Sequence, residues 1–120
     1  MRSFRVILSL LTIVAVTIPI YGYDEAKVNR YIREAEYYTR QAEGYERDAA
    51  HYTRQAQKYI KDAEHFSKNG NDSKAKNYMR WAKEASDKAS LRKMKARDSR
   101  HKAQLRMKWA NEEMKRQING

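Results

Sequence analysis

Small and aromatic residues alternate along the first half of this chain with a period of seven. Val28, Ala35, Ala42, Ala49, Ala56 and Ala63 form one series, and Tyr31, Tyr38, Tyr45, Tyr52, Tyr59 and Phe66 follow it at an offset of three. Alternating steps of three and four keep one stripe of a helix facing a partner. The pattern therefore predicts a long helix whose association seam is Ala35, Tyr38, Ala42, Tyr45, Ala49, Tyr52, Ala56, Tyr59, Ala63 and Phe66. Residues 38–49 and 52–63 agree at eight of twelve positions, a duplication two heptads long.

A second ladder, Ala75, Ala82, Ala89, Ala96, Ala103 and Ala110, keeps the same period. Its companions begin as Tyr78 and Ala85 and then turn polar: Arg92, Ser99, Arg106 and Glu113. The second helix thus offers a narrow strip of small residues, and the rings of the first are expected in the shallow holes above its alanines. Buried tyrosine hydroxyls would find partners among the flanking charges. Leu91, Met94, Leu105, Met107, Trp109, Met114 and Ile118 lie largely off the strip and suggest a second adhesive surface.

Between the ladders stands one break, residues 68–73 (KNGNDS). Gly70 can end a helix in the left-handed conformation, and Asp72 or Ser73 can cap the next. After residue 23 no proline occurs, and helix-forming residues dominate. The expected fold is all-α: a long antiparallel two-helix hairpin, with helices over about residues 24–68 and 74–118 and a turn at 69–73. Each helix would be about 65 Å long at 1.5 Å per residue. So little core in a chain without cysteine argues for a homo-oligomer, two hairpins pairing into a four-helix bundle.

Residues 1–22 differ in kind. Arg2 and Arg5 precede an apolar run from Val6 to Ile20, followed by Tyr21 and Gly22. This is the layout of a secretory signal peptide cut after Gly22, leaving 23–120 as the mature hairpin. The run falls short of the ~20 residues that span a bilayer, which argues against membrane spanning after cleavage. The expected location is extracellular.

Charge then separates the two halves. Residues 24–68 carry nine basic and nine acidic side chains, whereas residues 69–120 carry fifteen basic and six acidic, net +9. The surplus is densest at Lys88, Arg92, Lys93, Lys95, Arg97, Arg100, Lys102, Arg106 and Lys108, with Asp98 the one acid among them. In a hairpin this stretch faces Glu34, Glu36, Glu43, Glu46 and Asp48, which neutralise part of it. The remaining cations are candidate contacts for an acidic matrix polymer or polysaccharide. Nucleic acid is disfavoured, because the basic residues run around several faces instead of forming one row with interleaved aromatics.

Catalytic patterns are missing: no cysteine, phosphate loop, nucleophile elbow or paired metal-binding histidines. His51 and His65 stand about 21 Å apart along a helix, too far to share an ion. No enzyme, cofactor or metal is therefore expected. Asn71-Asp72-Ser73 is a glycosylation sequon at Asn71 in the turn. Nine tyrosines among many lysines also invite oxidative cross-linking, but six of the aromatics already have a packing role. The function expected is that of a secreted structural or matrix protein, of a mineralised, adhesive or cuticular matrix, that self-associates and holds acidic partners. The alternatives are a soluble polyanion-binding or membrane-surface effector, defensive or toxin-like, and a bacterial periplasmic envelope protein.

Overall fold

The computed structural model describes residues 24–119, with side chains to residue 116. The signal sequence and its cut after Gly22, and the side chain of Ile118, lie outside the described residues. Two helices, α1 (Glu25–Lys68) and α2 (Asp72–Asn119), pack against each other as a hairpin, with no strand among the described residues.

Local chemistry sets the helix ends. Asp24 caps α1, its Oδ1 accepting the Lys27 N–H at 3.1 Å. At the far end Gly70 takes φ 79°, and two reversed bonds close the helix. The Gly70 N–H donates to Ser67 O at 3.1 Å and the Asn71 N–H to Phe66 O at 2.8 Å, the pairing of a left-handed glycine terminator. Asn71 then opens α2, its Oδ1 accepting the Lys74 N–H at 3.2 Å. The cap is thus Asn71, not Asp72 or Ser73. A capping oxygen stands three residues before the amide it holds, and α2 already starts at Asp72, whose carboxylate favours the positive end of the helix dipole.

Contacts within the chain fall into two units, each containing a piece of both helices: residues up to 36 with those from 104, and residues 37–103. In the second, turn-containing unit the buried residues are Ala42, Ala49, Ala56 and Ala63 of α1 and Ala82, Ala85, Ala89, Ala96 and Ala103 of α2, joined by Thr39 and Ser99. An alanine side chain removes little apolar area, roughly 0.8 kcal/mol per carbon buried. Its value here is that the two backbones approach closely.

That approach decides where the rings go. Tyr38, Tyr45, Tyr52, Tyr59 and Phe66 are half-buried rather than enclosed. Each ring meets the residue that precedes an alanine of α2: Phe66 under Lys74 (5.1 Å), Tyr59 against Trp81 (6.0 Å), Tyr52 under Lys88 (5.6 Å), Tyr45 under Lys95 (5.8 Å) and Tyr38 under Lys102 (5.6 Å). Every seven-residue step back along α1 is matched by a seven-residue step forward along α2. Near the turn Phe66 also stacks on Tyr78 at 5.3 Å and 12°, and Trp81 meets Tyr78 edge-on at 5.0 Å.

The terminal unit has its own small core of Val28, Ala110 and Met114, with Tyr31 and Ile32 packed on it. Tyr31 meets Trp109 edge-on at 5.8 Å, and Glu113, buried, pairs with Lys27 at 3.5 Å and Arg116 at 3.6 Å. The off-strip apolar residues therefore do not make one second surface. Met114 is core and Trp109 covers a ring, Leu105 and Met107 are half-buried, and Leu91 and Met94 are exposed in the other unit.

Candidate anion-binding surface

The polar companions of the α2 alanines explain why that strip is narrow. In the turn unit Arg92 approaches Asp48 at 3.8 Å, and Ser99 donates its hydroxyl to Gln41 Oε1 at 3.0 Å. In the terminal unit Arg106 donates from Nε to Glu34 Oε2 at 2.9 Å, while its guanidinium lies 4.7 Å from the centre of the Trp109 ring. Each polar residue of α2 thus meets a polar residue of α1 able to answer it. A buried hydroxyl or carboxylate costs little when it is paired and several kcal/mol when it is not, and no buried side-chain nitrogen or oxygen among the described residues lacks a partner.

The nine basic residues proposed from the sequence divide accordingly. Arg92, Arg100 and Arg106 are half-buried and committed to carboxylates. Arg100 holds Glu46 with both arms, Nε to Oε1 at 2.6 Å and Nη2 to Oε2 at 3.0 Å. Lys102 lies over Tyr38 and pairs with Asp98 at 3.3 Å. Lys88 and Lys95 lie over rings, exposed, with no carboxylate in ion-pairing range among the described residues. Lys93, Arg97 and Lys108 are exposed and make no ion pair, hydrogen bond or ring contact among the described residues. Lys93 borders an open groove of about 470 Å³ with Glu46, Ala49, Ala50, Thr53, Arg54 and Gln57. Of the five acids expected beside this stretch, Glu34, Glu46 and Asp48 pair across the hairpin; Glu36 and Glu43 form no ion pair among the described residues.

One residue the sequence pattern did not single out completes the surface, and the sequon residue Asn71 stands at the turn. Trp81 is 38% exposed and stands in the same seven-residue series as Lys74, Lys88, Lys95 and Lys102, a series visible only when the residue before each alanine is read as a row. Asn71 is exposed at the turn. Its Oδ1 is engaged as a cap, while Nδ2, the atom a glycan would modify, has no partner among the described residues.

Among the described residues no group of three acidic, histidine or cysteine side chains is placed to hold a metal ion, and no helix is long and apolar enough to cross a membrane. No protein-family model matches the chain, and neither curated proteins nor solved structures give a significant match.

Proposed function

We propose that this chain is a secreted, non-enzymatic structural protein of an extracellular matrix, self-associating through apolar residues that the hairpin leaves exposed and holding acidic polymers through α2. One observation carries the reading: Lys88 and Lys95 are exposed, with no carboxylate partner among the described residues, on the helix that holds all the net positive charge of residues 24–120. A solvated face would serve solubility equally well if its lysines were mobile. These are held on aromatic rings, which fixes their stems and reduces the entropy lost on binding an anion.

Self-association fits the small size of the core. Alanine rows remove little apolar surface, and the exposed Ile60, Met79, Leu91 and Met94 remain as adhesive points. Two hairpins pairing into a four-helix bundle would cover such residues.

The test is fractionation of the native source with mass spectrometry of each fraction. A matrix protein is recovered with the insoluble polysaccharide or mineral and released by salt. Recovery only as a free soluble secretion contradicts the matrix role and favours the effector; recovery from a bacterial periplasm contradicts both.

A further inference from the structure

The polyanion-holding role rests on charge in general, but the turn unit organises that charge more narrowly. Lys88, Lys95 and Lys102 follow one another along α2 at steps of seven residues, about 10.5 Å each, with Trp81 one step nearer the turn. Each side chain of this row lies on a ring of α1: Tyr59, Tyr52, Tyr45 and Tyr38 in turn. Arginine at the flank is already neutralised, Arg92 by Asp48. Lys102 shares its charge with Asp98. Unbalanced charge in the row is therefore centred on Lys88 and Lys95.

We propose that Trp81, Lys88, Lys95 and Lys102 form a linear binding row for an anionic polysaccharide, a site that rests on the polyanion-holding role above. A polysaccharide of charged disaccharide repeats presents its sulfates or carboxylates at regular intervals, as the row presents its lysines. Successive anions can then meet successive lysines without bending either partner. Trp81, 38% exposed, offers a sugar ring an apolar contact beside Lys88. An unstructured run of Asp and Glu has neither a fixed anion repeat nor a ring face to stack. Lys74, over Phe66, continues the series toward the turn, whereas the exposed cations Lys93, Arg97 and Lys108 lie outside it and lack aromatic seats.

Calorimetric titration of the secreted chain with heparin tests the row. The variant Lys88→Gln/Lys95→Gln/Lys102→Gln is compared with Lys93→Gln/Arg97→Gln/Lys108→Gln, which removes the same charge elsewhere. The row variant is expected to lose more than about tenfold in affinity and to show a flatter salt dependence, with the control within about twofold of the parent. Equal losses in both overturn the row while leaving a general polyanion role intact, and no heparin binding by the parent overturns the role itself. Tighter binding of polyglutamate than of heparin overturns the polysaccharide assignment. Should the triple variant lose helicity, Lys95→Gln alone serves: a several-fold loss supports the row and unchanged affinity overturns it.

Discussion

The hydroxyl of Ser99 donates to Gln41 Oε1 across the hairpin at 3.0 Å, although Ser99 is only 3% exposed. Serine there is a fitted part rather than a gap in an apolar strip. Ser99→Ala is expected to destabilise the fold by about 1 kcal/mol, by leaving the amide oxygen short of a donor. Ser99→Leu should cost about 1 to 3 kcal/mol through overpacking. Denaturant melts of both variants check this, and a leucine variant as stable as the parent would mean that the helices are not closely apposed at this point.

Close apposition has its strictest consequence at Ala42 and Ala49, which are 0% and 2% exposed. Leucine at either position is expected to lower stability by about 1 to 3 kcal/mol or to change the oligomer. Calorimetry and sedimentation report the two effects separately. Unchanged melting and mass would show that these methyl groups do not face the other helix.

The two glycines of the hairpin respond oppositely to alanine. A Cβ on Gly44 would meet only the Arg47 Nη2 at 3.9 Å, an ordinary contact, so Gly44→Ala should stabilise α1 by about 1 kcal/mol. Gly70 has open space around it but a φ of 79°, so Gly70→Ala should destabilise by roughly 1 to 2 kcal/mol. Thermal midpoints moving in the same direction for both variants would contradict the turn geometry.

Arg100 and Glu46 form the best-aligned ion pair across the hairpin. A double-mutant cycle with Arg100→Gln and Glu46→Gln is expected to give a coupling of about 0.5 to 1 kcal/mol, since the pair is partly exposed. That coupling should shrink in about 1 M salt. A coupling of zero at low salt would place the register elsewhere.

Much of this fold is written in the spacing of Ala35 to Ala63 and Ala82 to Ala110, because a buried position in a two-helix hairpin must recur at helical period whatever else the chain contains. The turn was legible too, since a lone Gly70 between polar residues leaves few other conformations. What spacing could not convey is direction. Nothing in the recurrence of Tyr45 says which residue of α2 its ring meets. Lys88, Lys95 and Lys102 look like a solvated face until their seats on the rings are seen. Arg92 and Arg106 look like free charge until Asp48 and Glu34 are placed opposite them. The aromatic row was therefore visible in the sequence, and the cation row that covers it was not.

The helices α1 and α2 fold back on each other within one chain, and a distance measurement tests this most directly. Spin labels at the exposed positions Ala50 and Arg97, on opposite helices, are expected to lie within roughly 25 Å of each other, given helix axes 8 to 10 Å apart. That distance should persist when labelled chain is diluted with unlabelled chain. A separation near 70 Å, as a continuous helix would give at 1.5 Å per residue, or a short distance that vanishes on dilution, would contradict the hairpin and the cation row built on it.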